Sequence, residues 1–309
     1  MTNNKFHIVC NEEGKRLDTF LSEKLSLTRT KVKDMIEGKY VLIAGKIPKP
    51  SLMTRNLMVI EGEIPEEEAL SLTPQEIPLD ILYEDEYFIA VNKPKDMVVH
   101  PSFGHKDGTL VNAMLAYLGK RVGDIESGNS GFPATFRPGI VHRLDKGTTG
   151  VIIVAKDSKT QDMLSLLFRK REVRKTYRAI VEGIMKRKEG IIEGNIGRHP
   201  FDRKKMAVLE EDGRDAVTSF ITIKQLDGFA YVEAYPKTGR THQIRVHMTH
   251  IGHPVAGDDL YGKQAKHIAD RPLLHAYRIR FTHPVKGGPI DIEAPMPNDM
   301  TEFIEKYTL

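Results

Sequence analysis

Between residues 61 and 86 the chain carries ten acidic side chains and no lysine or arginine. On either side the balance reverses: residues 1–60 hold 11 Lys/Arg against 6 Asp/Glu, and the remainder of the 309 residues carries a net +9. Two basic blocks around an acidic connector describe two modules that each face a polyanion, joined by a segment that a polyanion repels. Within the connector, Pro65 to Pro78 holds three consecutive glutamates, two further prolines and weak periodicity, which is the composition of a linker. The chain is long enough for a catalytic core plus a small accessory module. The expected division is 14–62 for a first module, 63–77 for the linker and 78–309 for the catalytic domain.

Hydrophobic residues make up 40% of the chain and charged residues 28%, the proportions of a folded soluble protein. Cys10 is the only cysteine, which excludes an internal disulfide, a multi-cysteine zinc site and an iron–sulfur cluster. The N-terminal residues lack an apolar signal region and no stretch reaches a membrane span, so the expected location is the cytoplasm, without membrane attachment. A monomer is expected.

The first module reads as helix, helix, hairpin. Leu17, Phe20, Leu21 and Leu25 share one helical face, with Asp18 and Glu23 directed elsewhere. Thr28 is placed to cap a second helix that turns Val32, Met35 and Ile36 inward, and Gly38 is suited to ending it in a left-handed conformation. Its outer face presents Arg29, Lys31 and Lys33. Tyr40–Ile43 reads as a strand, Ala44-Gly45 as a tight turn, and Lys46 as the start of the return. Basic side chains on one helix and its adjoining hairpin suit a phosphate backbone, supplying affinity rather than sequence reading.

Beyond the linker, Ile81 to Val91 gives strand, acidic turn, strand, and a helix is expected from about Ser158 to Arg169. Short strands alternating irregularly with a few helices indicate an α+β domain, with a mixed or antiparallel sheet and helices on its faces. Chemistry concentrates in Gly139 to Gly150, where ionic groups and glycines crowd against the apolar run Val151–Ala155. That run is a buried strand, and Asp145, on the turn beside it, has the rigid mounting a nucleophile needs. An aspartate pinning its own turn is the competing reading. A second cluster runs from Lys237 to Met248. The histidines from this stretch through the following Gly252–Asp258 segment, 242, 247, 250 and 253, match no zinc spacing, have no cysteine nearby and no carboxylate between residues 236 and 257, so no metal site is expected. Arg240 and Arg245 are the better prospects, because whichever reaches a buried carboxylate keeps it ionised.

His142-Arg143-Leu144-Asp145-Lys146-Gly147-Thr148-Thr149-Gly150 resembles the His-Arg-Leu-Asp-x-x-Thr-Ser-Gly signature of RluA-type pseudouridine synthases. It is accompanied in order by Glu84-Asp85-Glu86 through Asn92-Lys93-Pro94 to Val99-His100-Pro101, by Lys175-Thr176-Tyr177-Arg178-Ala179, and by Thr238 to His247. The resemblance covers residues 78 to 297. Residues 15 to 50 resemble the S4 RNA-binding module. Arg198-His199-Pro200 with Arg203, Lys204, Lys205 and the following Met206-Ala207-Val208 resembles the RluD-like branch, whose members modify large-subunit ribosomal RNA.

The resemblance implies a mixed, mainly antiparallel sheet with flanking helices and makes Asp145 the nucleophile, Tyr177 the aromatic side chain that stacks on the target base, and Arg245 the partner of Asp145. Arg143 matches the residue that helps displace the target uridine from its stack. His142, Arg240, Arg203, Lys204 and Lys205, with Arg29, Lys31, Lys33 and Lys46 of the first module, form the expected RNA-binding set, and 23S ribosomal RNA or a ribosomal precursor particle is the expected partner. Gly147 and Thr149 depart from the more usual Asp or Glu and Ser, which bears on turn geometry. Pseudouridine formation joins C5 of the base to ribose C1′ in place of N1, so substrate and product are isomers and no cofactor is implied. Two rival readings are a silent RNA-binding or assembly factor, which has no use for Asp145, Tyr177 and Arg245 together, and a base-releasing hydrolase, which employs paired carboxylates.

Overall fold

The structure is a computed structural model that describes residues 5–65, 73–101, 107–122, 139–202, 204–262 and 268–309, apart from the side chains of residues 30 and 120–122. The chain forms two compact units, Met1–Ser71 and Leu72–Leu309. No helix among the described residues is long and apolar enough to cross a membrane.

In the first unit, strands β1 (Lys5–Val9), β3 (Val59–Glu63) and β2 (Val41–Ile43) form an antiparallel sheet in that order, beside helices α1 (Leu17–Lys24) and α2 (Arg29–Glu37). Leu17, Phe20 and Leu21 from α1, and Val32, Met35 and Ile36 from α2, close over Cys10, Val41 and Ile60 in one core. The Thr28 hydroxyl caps α2 by accepting from the Lys31 N–H at 3.2 Å. Two residues depart from what the sequence pattern predicts. Asp18 does not point away: it is buried, because Arg16 and Arg29 reach its Oδ2 at 2.7 and 3.2 Å and compensate its charge. Gly38 ends α2 at φ −77°, and the left-handed residue is its neighbour Lys39 at +69°. The Ala44-Gly45 turn is found, with both residues at positive φ. The return from Lys46 is a single pair of backbone bonds to Ile43, and β2 takes its strand partner from β3 instead.

The second unit is built on one mixed sheet of ten strands among the described residues, ordered β4 (Ile81–Glu84), β5 (Phe88–Lys93), β6 (Thr149–Ala155), β12 (Leu274–Thr282), β7 (Arg174–Glu182), β11 (Phe229–Pro236), β10 (Arg214–Leu226), β8 (Glu189–Arg198) and β9 (Met206–Leu209), with β13 (Pro289–Glu293) on β12. Every pairing is antiparallel except β6 with β12. Strand alternation explains why helices cover both faces. Ile89, Val91, Ile152 and Val154 pack with Leu110, Met114 and Leu118 of α3 (Leu110–Val122). The intervening Phe88, Ala90, Val151 and Ile153 pack with Leu164 of α4 (Ser158–Lys170). Further along the sheet, Ala179, Val181, Val232 and Ala234 receive Ile244 and Met248 of α5 (Gln243–His250). On the opposite face Ile180 and Leu226 receive Met300 and Phe303 of α6 (Asn298–Lys306). Buried on both sides, the middle strands read as continuous apolar runs, which is why Val151–Ala155 stands out in the sequence.

Candidate active site

The site grows from the turn that leads into β6. Two glycines let this segment lie flat against the sheet. Gly139 has φ +40° and a Cβ there would fall 1.8 Å from the Ala155 carbonyl oxygen; Gly150 has φ +107° and its Cβ would fall 2.2 Å from that of Ala276. Between them Asp145 opens a tight turn closed by the Thr148 N–H on the Asp145 carbonyl at 3.0 Å.

Two buried cations hold the turn. Lys93, fully buried at the end of β5, donates to the carbonyls of Pro94, Met97 and Lys146 at 2.8, 2.8 and 3.1 Å. Burial pulls its ammonium down to about 7, with the Asp145 charge opposing that shift. Arg271 donates to the Gly147 carbonyl at 3.1 Å and is itself anchored on Asp299 at 2.6 and 2.8 Å. Thr149, the other unusual position, places its hydroxyl 2.8 Å from His275 Nδ1. Cations and backbone therefore shape the turn, and the Asp145 carboxylate makes no hydrogen bond to its own turn among the described residues.

That carboxylate faces outward between two cavities of about 470 and 920 Å³, and it lines both together with Arg143, Leu144, His242 and Arg245. Its Oδ2 meets Arg245 NH1 at 3.3 Å, and its Oδ1 lies 3.9 Å from His242 Nε2. Arg245 projects from α5 and is buried, gripping the fully buried Asp258 through Nε at 2.6 Å and NH2 at 2.8 Å. Burial works against its charge; the contacts to Asp258 and Asp145 outweigh that and hold the guanidinium well above its ordinary value. Asp258 also accepts from the Leu260 and Tyr261 N–H groups, both at 3.1 Å. The Tyr261 hydroxyl lies 2.9 Å from His242 Nδ1 and accepts from the Met206 N–H at 2.8 Å.

Tyr177 on β7 lines the smaller cavity and packs against the core cluster that includes Leu144, and no hydrogen bond to its hydroxyl is found among the described residues. Burial, reinforced by the Asp145 charge, holds its phenol well above the ordinary value, so it presents a neutral ring and a free hydroxyl to the cavity. The loop opposite is fixed by Gln243. Its Oε1 accepts from the Thr238 hydroxyl and the Arg240 N–H, and its Nε2 donates to the Val217 carbonyl.

The structure thus gathers Asp145, Tyr177, Arg245, Arg143 and Arg240 around one cavity, with Arg143 exposed and Arg240 tethered through Nε to the Asp215 carbonyl. His142 is built into the cavity wall. Its Nε2 accepts from the Ile153 N–H at 2.9 Å, its ring stacks on Phe168, and burial pushes it down to about 3. Lys204 and Lys205 sit in the β8–β9 connection, outside the cavity lining, and Arg203 lies outside the described residues. Of the first-module set, Arg29 is tied to Asp18, Lys33 lies 3.4 Å from Glu37, and Lys46 is exposed beside the Ala44-Gly45 turn. Lys93, Asp258, Tyr261, Gln243, Lys175 and Arg271 join the site although no motif or spacing gives them a role; for the three cations and Asp258 the available signal is charge within an otherwise apolar or turn-forming stretch.

Residues 87–250, which contain the Asp145 turn, β7 and α5, match the family model described as RNA pseudouridylate synthase. The chain belongs to the RNA pseudouridine synthases. The synthase is 39% identical over 98% of both chains to an uncharacterized RNA pseudouridine synthase of Bacillus subtilis. It is also 39% identical to the ribosomal large subunit pseudouridine synthase D of Escherichia coli, across 96% of this chain and 91% of that protein. Among solved structures, the human RNA pseudouridylate synthase domain containing 1 superposes with a TM-score of 0.58 at 26% identity, covering 72% of this chain and 84% of the other. The synthase is accordingly an isomerase acting on RNA, of the RluA type, on an α+β fold.

Proposed function

We propose that the synthase isomerises specific uridines of large-subunit, 23S ribosomal RNA, with Asp145 as the nucleophile. The observation that carries the nucleophile assignment is the Asp145 carboxylate itself: relieved of turn duty by Lys93 and Arg271, backed by Arg245 at 3.3 Å, and open to a cavity that it shares with Tyr177. The large-subunit substrate rests on the 39% identity with the Escherichia coli enzyme of that name.

The target base leaves its stack at a cost of a few kcal/mol and enters the cavity, where stacking on Tyr177 and contacts to the RNA backbone offset that cost. Arg143, at the exposed mouth, displaces the base. Asp145 then attacks ribose C1′ or uracil C6, or removes the proton whose loss gives a glycal. All three routes begin from a carboxylate, and each ends with C5 joined to C1′ and the C5 hydrogen released.

In this reading residues 14–62 of the first unit are an S4-like RNA-binding module, to whose sheet β1 adds a strand, followed by the linker 63–77. Arg29, Lys31, Lys33 and Lys46 meet the RNA backbone, as do Arg203, Lys204 and Lys205 of the catalytic domain, and the enzyme works as a cytoplasmic monomer. Pseudouridine mapping by carbodiimide-dependent primer extension tests the substrate. In a strain lacking the enzyme, one or more stops disappear from large-subunit RNA; wild type restores them and Asp145→Asn does not. Loss confined to transfer RNA contradicts the assignment. Deleting residues 1–75 weakens binding or changes site choice; unchanged affinity and site choice contradict the role given to the first unit.

A further inference from the structure

Strand β7 delivers two side chains to the smaller cavity at alternate positions, Lys175 and Tyr177. Tyr177 has a place in the reaction described above; Lys175 does not. The comparison that gives it one is with Lys93. Both are largely withdrawn from water, and burial pulls both ammonium groups below the ordinary lysine value, to about 7 for Lys93 and about 8 for Lys175. Lys93 spends its three N–H donors on three carbonyl oxygens, the arrangement of a structural cation. Lys175 makes one hydrogen bond, to the Thr238 carbonyl at 3.2 Å, and no ion pair among the described residues. Two of its donors remain for a ligand.

The surroundings select the ligand's charge. The cavity wall carries Arg143, Arg169, Arg171, Lys237 and Arg240 as well as Lys175 and Arg245, against Asp145 as its one carboxylate among the described residues. Asp145 already has Arg245. When RNA closes the cavity and removes the remaining water, a neutral base carbonyl would leave the Lys175 charge uncompensated in a low dielectric, whereas a phosphate neutralises it. Lys175 and Tyr177 start about 7 Å apart along one face of the strand, a separation that a nucleotide spans between its base and its own backbone.

We propose that Lys175 seats the backbone phosphate flanking the target uridine while Tyr177 holds the base. The assignment rests on the reading that this cavity receives the target uridine. It fixes the sugar between two points, so that C1′ is presented to Asp145 rather than swinging with the RNA strand.

The test uses a synthetic stem-loop RNA carrying a uridine that the full-length enzyme isomerises, made with a single uncharged methylphosphonate at each linkage within two nucleotides of that uridine. Binding is measured across a range of KCl concentrations for wild type, Lys175→Met and Lys175→Arg, with thermal unfolding confirming that each variant is folded. At one linkage the methylphosphonate weakens wild-type binding roughly tenfold, and Lys175→Met weakens binding of unmodified RNA by a similar factor. Combining the two adds no further loss. Lys175→Met lowers the salt dependence by about one ion, and Lys175→Arg keeps most of the affinity. The proposal is overturned if the wild type tolerates a methylphosphonate at every linkage, if Lys175→Met binds as tightly as wild type, or if the two losses multiply at every linkage. These are equilibrium readings: an error in the nucleophile assignment would show as turnover by Asp145→Asn and would leave them intact.

Discussion

Arg245 and Asp258 form a two-point ion pair in the interior of the synthase domain, Nε to Oδ2 at 2.6 Å and NH2 to Oδ1 at 2.8 Å, and the remaining NH1 is thereby aimed at Asp145. Asp145 is paired with an arginine that a second carboxylate holds in place, so the fold itself fixes where the partner of Asp145 sits.

This makes Asp258 a positioning residue. Asp258→Ala leaves a buried guanidinium without its main partner and is expected to destabilise the protein by roughly 3–5 kcal/mol. Asp258→Asn keeps the shape and one acceptor. Its expected signature is a fall in kcat of up to roughly a hundredfold with little change in KM, because the misplaced arginine matters at the reacting carboxylate and not for holding RNA. Steady-state kinetics checks this; an unchanged kcat in Asp258→Asn would contradict it.

Backbone fit at the start of β6 is equally specific. Gly150→Ala puts a methyl group 2.2 Å from the Ala276 carbonyl oxygen at a residue with φ +107°. Left-handed strain and overpacking together cost roughly 3 kcal/mol or more. Urea unfolding measures the difference, and a loss below about 1 kcal/mol would mean that β6 and β12 separate more readily than their packing indicates.

Three histidines couple stability to pH. Burial pushes His275 and His247 down to about 4 and His142 to about 3, so each stays neutral in the folded protein. In the unfolded chain each takes a proton near its ordinary value of about 6.5. The unfolded state therefore binds more protons than the folded state between about 6.5 and about 4, and stability falls as pH drops through that window. At pH 5 the loss reaches up to about 2 kcal/mol per histidine. Urea unfolding at pH 7 and pH 5 should show the drop, and His275→Asn should reduce it. Equal stability at the two pH values would show that these rings gain protons without unfolding.

Much of this was legible in the sequence where pattern follows from local geometry. Val151–Ala155 reads as buried because both sheet faces are covered, Thr28 reads as a cap because its hydroxyl falls opposite an unpaired N–H, and the run from His142 to Gly150 places Asp145 at the site. What was not legible depends on contacts through space. Asp18 falls outside the apolar stripe of its helix, yet Arg16 and Arg29 converge on it and make burial tolerable. Asp258 follows Arg245 by 13 residues across a helix end and a turn, and no spacing rule joins them. Lys93 and Lys175 look alike as letters; only the number of acceptors around each separates a structural cation from an available one. His142 opens the motif that carries Asp145, and its commitment to the Ile153 N–H appears only once β6 is folded beside it.

The most direct measurement is tritium release from [5-³H]uridine-labelled RNA by wild type and Asp145→Asn at equal, saturating RNA binding, since C5 loses its hydrogen whenever the new bond forms. The account predicts release by wild type, none above background by Asp145→Asn, and unchanged RNA affinity in the variant. Continued release by Asp145→Asn would contradict the assignment of Asp145 as the nucleophile.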